Sequence, residues 1–197
     1  IGVCDGAIVL SKNTTDRALL CHEDSAFATK RYTAQNRKQE YAHTKDAKEK
    51  ENFPDSLRQC EHELDEFSVP TTISQSGMKM LTAINGGQIA KIRRDNMRHA
   101  VKRLSGKLNM LKGIEGGGYV DEAPFSLPIL VESRDEIQKK LASNGLYAPV
   151  LWPISEEARC ICSVAAGMAD RMLSIPIDQR YNYDDIEDIC NIILSVV

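Results

Sequence analysis

Apolar positions change their spacing several times along the chain. Ala7-Ile8-Val9-Leu10 is a short continuous apolar run after Asp5-Gly6 and predicts a buried strand. Thr14 or Thr15 can cap the helix expected next. From about Ala18 to Glu51 the sequence turns polar, and Phe27, Ala34 and Tyr41 recur at seven-residue spacing. That predicts a long solvated helix with one narrow buried stripe, broken at Asn52-Phe53-Pro54-Asp55. Val69-Pro70 closes this region, and Thr72 or Ser74 starts a helix that carries Met78, Leu81 and Ile84. After Asn85-Gly86-Gly87, the positions Met97, Val101, Leu104, Leu108 and Leu111 mark one face of a long helix from Gln88 to about Lys112. Gly113 and Gly116-Gly117-Gly118 stop it, the latter reading as a linker.

Beyond residue 119 the pattern is β-α-β-α-β-α. Phe125, Leu127, Ile129 and Val131 alternate with less apolar neighbours, a strand whose Pro128 argues for an edge or irregular position. Ser133-Arg134-Asp135-Glu136 has the form of a capping box, and Asn144-Gly145 that of a helix stop. Tyr147 to Trp152 predicts a second strand. A helix from Ser155 follows, with Ala158, Ile161, Cys162, Ala165 and Met168 on one face. Met172 to Ile177 predicts a third strand, and Ile186, Ile189, Cys190, Ile193 and Val197 line a final helix. The fold class is therefore α/β, a small sheet covered by helices, preceded by a helical N-terminal segment.

Charge refines the N-terminal segment. Residues 30–51 carry seven Lys/Arg against four Asp/Glu, and residues 55–66 five Asp/Glu against Arg58 alone. Two stretches of opposite sign predict a helical excursion that folds back on itself. The whole chain, 197 residues with 25 basic and 28 acidic, has a formal charge of −3 and offers no global field for nucleic acid. No apolar run approaches a membrane span. The chain opens on Ile1 rather than Met, with no signal-peptide pattern, and is expected to be a processed product or a piece of something longer. Cysteines 4, 21, 60, 160, 162 and 190 include no CxxC pair, which favours reduced structural thiols in the cytoplasm and no metal.

Little chemistry is visible directly. There is no phosphate loop, no nucleophile elbow and no HExxH helix. His22, His43, His62 and His99 fall in polar stretches and read as surface histidines. Trp152 serves either core packing or the wall of a site. Asp178 and Arg180 follow a strand end, where α/β sites gather, or else form a local ion pair or helix cap. Asp184 and Asp185 suit the dipole of the last helix.

Several stretches, taken in order, resemble one family. Gly2-Val3-Cys4-Asp5-Gly6-Ala7-Ile8-Val9-Leu10, then Ile73-Ser74 to Leu81, then Arg93 or Arg94 with Asn96 open the series. Gly145 to Pro153, Met172 to Tyr181 and Asp185-Ile186 close it. Together they resemble the C-terminal portion of the DegT/DnrJ/EryC1 sugar-aminotransferase-like proteins, a branch of the pyridoxal-phosphate-dependent aspartate aminotransferase superfamily. The resemblance implies that residues 1–87 are a remnant of the large domain with its charged helical excursion, and that residues 88–197 are the small C-terminal domain.

It also implies pyridoxal phosphate in the intact protein, Asp5 and Gly6 beside the cofactor pocket, and Trp152, Asp178 and Arg180 toward the substrate. The Schiff-base lysine of the family lies before the Asp5-Gly6 strand, and no lysine here matches it. The chain alone is thus expected to hold no cofactor and to be inactive, with the N-terminal half of the same protein and a second copy as its partners. An Asn-x-Arg loop that meets the partner subunit's cofactor has no counterpart in residues 27–66. The alternative is a non-catalytic interaction module that engages a protein through the charged helical arm of residues 13–66.

Overall fold

The computed structural model describes residues 3–6, 12, 23–66, 71–115, 122–151 and 154–197. The strand expected at Ala7–Leu10, the caps at Thr14 or Thr15, the Gly116–Gly118 linker, His22 and Trp152 lie outside them. The chain divides into two compact units, Ile1–Ile84 and Asn85–Val197.

The first unit is helical. Helix α1, Ser25–Thr44, begins where Asp24 accepts a hydrogen bond from the Phe27 amide at 2.9 Å. Helix α2, Ala47–Asp65, folds back along it. Two of the three stripe positions are buried, Phe27 and Ala34 with Cys60 and with Leu57 packed against them, while Tyr41 is only half-buried. Opposite charges then meet across the hairpin, Arg31 with Glu61 at 2.7 Å and Lys30 with Glu63. The reversal comes earlier than residues 52–55. Lys45 takes a left-handed conformation (φ 56°) that ends α1, and Asp46 caps α2 by accepting from the Lys48 amide. Pro54 lies inside α2 instead of breaking it. Helix α3, Gln75–Ala83, is capped by Ser74, one of the two residues expected to start it.

The second unit starts at Asn85, whose side chain caps helix α4, Gly86–Leu104. This helix stops eight residues before Lys112. Ser105 closes it and Gly106, at φ +72°, turns the chain, a conformation that favours glycine. Leu108, Met110 and Ile114 still reach the core, through strand β1 (Asn109–Met110) and the short helix α5 (Lys112–Glu115).

Strand β2, Ser126–Leu130, is central in a three-stranded antiparallel sheet ordered β1-β2-β3, where β3 is Met172–Pro176. Pro128 is therefore not on an edge strand, and the register explains why it is tolerated. Strand β1 pairs only with Ile129 and Leu130 and ends short of it. Toward β3, Pro128 faces Ser174, whose N–H points the other way and donates to the Pro149 carbonyl at 3.1 Å. No ladder bond is asked of the proline nitrogen. That same bond is what remains of the strand expected at 147–152. The segment 146–150 meets β3 through this bond without forming a ladder, and Pro149 has no N–H to return.

Helix α6, Arg134–Ser143, follows β2. Its expected capping box does not form: Ser133 sits at φ 51° with its side chain unused, and Glu136 pairs with Lys140 instead. Its C-terminus is a Schellman motif. Leu146 N–H donates to Leu141 O at 2.9 Å, Gly145 N–H to Ala142 O at 3.0 Å, and Gly145 has φ +81°.

The single helix expected after Ser155 is two, α7 (Glu156–Ile161) and α8 (Ser163–Arg171), interrupted where Cys162 leaves the helical region. The face that carries its apolar residues is in solvent, with Ile161 86% exposed. Helix α9, Tyr183–Val196, carries the capping box the sequence put elsewhere, between Asn182 and Asp185. Ile186, Ile189, Cys190 and Ile193 of α9 join Met97 and Leu104 of α4, Leu141 of α6 and Leu127, Ile129, Leu173 and Ile175 of the sheet in one core. Val197 remains exposed. Burying eight or ten such side chains, at about 2 kcal/mol each, supplies the unit's main driving force.

Candidate functional site

The chain leaves β3 through Ile177 and turns through residues 178–182 into α9. This turn is fixed from inside. Asn96, buried on α4, donates from its side-chain amide to the carbonyls of Ile177 (3.1 Å), Asp178 (3.0 Å) and Tyr181 (3.0 Å). The Asp178 carbonyl also accepts from the Tyr181 N–H at 3.2 Å, so Asn96 reinforces a turn that already closes on itself. Asp178 is fully buried and receives three hydrogen bonds from Arg180: from its backbone N–H, from Nε at 2.8 Å and from Nη2 at 2.7 Å. Burial alone would raise the Asp178 pKa, but the Arg180 bonds outweigh it and hold the carboxyl below its usual range. The Arg180 side chain is nevertheless 55% exposed, so one edge of the guanidinium faces solvent while the other is fixed. Arg93 extends the arrangement, donating from Nε to Gln179 Oε1 at 2.7 Å with its guanidinium over the Phe125 ring.

The turn forms one wall of a cleft of about 460 Å3, lined among others by Asn96, His99, Gln179, Arg180 and Tyr183. His99 is not the surface residue its polar context suggests. Its side chain is 13% exposed, donates to Glu187 at 2.8 Å and lies against the Tyr183 ring, because α9 packs over this face of α4. Arg103 binds the other oxygen of Glu187 at 2.7 Å. Burial pushes the Glu187 pKa up, and the hydrogen bonds from His99 and Arg103 bring it below the usual carboxylate range. His43 and His62 are exposed as expected.

Around this cleft the sequence singles out Asp178 and Arg180 but not Gln179 or Glu187, and it reads His99 as a surface residue. Gln179 lies in the turn itself, whereas His99 and Glu187 lie inside α4 and α9 and carry no local signal. The plainer expectation for Asp178 and Arg180, a local ion pair, is met, and the cap of α9 falls to Asn182. The cleft offers a fixed cationic edge and several hydrogen-bond donors. Among the described residues no group of three His, Cys, Asp or Glu side chains could hold a metal. No helix among them is long and apolar enough to cross a membrane.

Asp5 and Gly6 belong to the first unit. Asp5 accepts from the Ser74 N–H at 2.7 Å and from its hydroxyl at 2.8 Å, while Ser74 Oγ accepts from the Gly77 N–H at 3.0 Å. Cys4 is buried beside them. Gly6 adopts φ +95° against Ile73, where a Cβ would come within 2.6 Å of the isoleucine side chain. Both residues are thus engaged in holding the start of α3. Every lysine whose side chain the structure describes is exposed. Among the described residues, then, no buried amine stands ready to grip a carbonyl cofactor, and the Asp5 oxygens are already taken. These residues do not by themselves fit pyridoxal phosphate.

No family model matches the sequence, and no curated protein matches it. Solved structures do. The chain is similar to the sugar aminotransferase CalS13 from Micromonospora echinospora, at 20% identity and a TM-score of 0.46, over 61% of this chain and 33% of that one. It is similar to a DegT DnrJ EryC1 StrS aminotransferase from Brucella abortus, at 15% identity and a TM-score of 0.46, over 76% of this chain and 44% of that one. A third likeness is to the sugar-aminotransferase candidate Spr1654 from Streptococcus pneumoniae in its PMP form, at 13% identity and a TM-score of 0.49, over 66% and 37% of the two chains. The chain thus spans between 33% and 44% of the length of these structures.

Proposed function

We propose that these residues are part of a pyridoxal-phosphate-dependent aminotransferase-like protein, in which residues 88–197 form the small C-terminal domain and residues 1–87 belong to the large one. One observation carries the reading. The stretches on which the family resemblance rests are far apart in sequence, yet Asn96 is bonded to three carbonyls of the 177–181 turn. The Gly145–Pro153 stretch is joined to the Met172–Tyr181 stretch by the bond from Ser174 to Pro149. These contacts bring the quoted stretches of the second unit together, which supports the reading.

In that protein Arg180 contacts the substrate through its exposed edge, Asp178 positions it, and Trp152 is a further substrate residue. A bidentate, buried carboxylate is a means of holding a guanidinium in one orientation before a ligand arrives. When bound, the cofactor supplies the electron sink that amino transfer requires. Its lysine comes from residues outside these 197, and Asp5 and Gly6 border its pocket by fixing the start of α3. The isolated chain is inactive, and the intact protein works as a homodimer in the cytoplasm.

The test is Arg180→Lys in the complete protein. Lysine keeps a cation beside Asp178 but loses the planar fork. The expected result is a KM for the substrate raised about tenfold or more, with kcat changed less. An unchanged KM would remove Arg180 from the substrate site.

A further inference from the structure

Cysteine exposure divides the described thiols into two classes. Cys4, Cys60 and Cys190 are buried, whereas Cys160 and Cys162 are exposed. Only Ile161 separates the exposed pair, and it is itself 86% exposed. In an unbroken helix residues two apart do not face one another. Here the helix is broken at the second cysteine. Helix α7 ends at Ile161, and Cys162 takes φ −138° and ψ 98°, in the extended region. Its side chain makes no capping bond to α8.

Two further features make this junction adaptable. Neither α7 nor α8 contributes a buried residue, so a local rearrangement disturbs no core packing. Two residues of extended chain span at most about 7 Å, which is the limit of Cα separation for a disulfide. The side chains across the α7–α8 junction include the exposed ion pair of Arg159 with Asp170 at 2.7 Å, a contact that costs little to loosen, while Cys162 bonds the backbone of each helix once, to Ala158 O and from Ala166 N–H.

We propose that Cys160 and Cys162 are a redox-active dithiol that closes into an intramolecular disulfide when the chain meets a low-molecular-weight disulfide such as oxidised glutathione. One cysteine thiolate attacks a glutathione sulfur, the glutathione S–S bond breaks, and one glutathione thiol leaves. The second cysteine thiolate then attacks the protein sulfur of this mixed disulfide and expels the other glutathione. The two protein thiols are oxidised by two electrons, the oxidant is reduced to two thiols, and the two cysteine protons end on them.

The experiment uses the full chain incubated with oxidised glutathione, then alkylated and cleaved with trypsin. Cleavage after Arg159 and Arg171 isolates both cysteines in one peptide that holds no other. The expected peptide has lost two hydrogens and carries no glutathione. Cys160→Ser and Cys162→Ser, both at exposed positions, should each retain one glutathione on the remaining cysteine. The proposal fails if the unsubstituted peptide keeps glutathione on either cysteine. It also fails if the pair stays reduced while Cys190 is modified, or if the chain links to a second copy through these residues.

Discussion

Asp178 and Arg180, two residues apart at the exit of β3, are joined by three hydrogen bonds, yet the first is fully buried and the second half exposed. The pair is asymmetric by construction. The carboxylate is a structural anchor, and the guanidinium is the part that a ligand can reach. The anchor in turn depends on Asn96, which fixes the turn from behind.

Replacing Asp178 by Asn removes the charge and sets an amide donor against Arg180 donors. The substitution is expected to cost about 1–3 kcal/mol. The pH dependence follows from the lowered Asp178 pKa, which burial opposes and Arg180 enforces. Its contribution is complete above the unfolded aspartate value of about 4 and is lost as pH falls through the lower folded value. Urea unfolding of the unsubstituted chain should therefore weaken with acidification below about pH 4, and D178N should show a shallower acid dependence. Equal acid slopes in the two proteins would contradict this.

Asn96→Ala removes a donor shared by the Ile177, Asp178 and Tyr181 carbonyls, of which that of Asp178 keeps the Tyr181 N–H. A loss of about 1–3 kcal/mol is expected. Asn96→Asp should be worse than alanine, because it aims an acceptor at acceptors. Denaturant midpoints of the two variants give the order directly.

Gly77→Ala tests the start of α3. Alanine ordinarily favours a helix over glycine by about 1 kcal/mol, but here its Cβ would come to 2.2 Å from Asp5 Oδ1. The Asp5–Ser74 bonds must shift, and net destabilisation is expected. Hydrogen exchange should accelerate at the Ser74 and Gly77 amides, which the Asp5–Ser74 arrangement holds. A stabilised variant would show that the close approach is relieved without loss.

Burial, aided by nearby Glu187, pushes the Cys190 thiol up to about 11. At pH 8 the native chain should be alkylated at Cys160 and Cys162 well before Cys190. In denaturant the three should react at similar rates, and similar rates in the native chain would refute the prediction.

How much of this was legible in the sequence depended on whether a local pattern met a local cause. Ser74, the Asn144-Gly145 stop, β3 and the α9 face were readable, because caps, left-handed glycines and apolar spacing act within a few residues. Helix α4 was overextended because Leu108 and Leu111 continue its spacing by coincidence, while Ser105-Gly106 already ends it. Pro128 did not separate an edge from an irregular position, because an edge strand and a central strand with a truncated neighbour ask the same of a proline. The α7–α8 face shows the limit of periodicity, since Ala158, Ile161, Cys162, Ala165 and Met168 have helical spacing but are all exposed. At the candidate site Asp178 and Arg180 stood out by their place after a strand. His99 and Glu187 did not, because they meet only once α4 and α9 have packed.

The most direct test of the aminotransferase reading is to load the complete encoded protein with pyridoxal phosphate, reduce it with borohydride and map the labelled lysine. The account predicts a single labelled lysine outside residues 1–197. A label on a lysine within them, or no stable label at all, would contradict it.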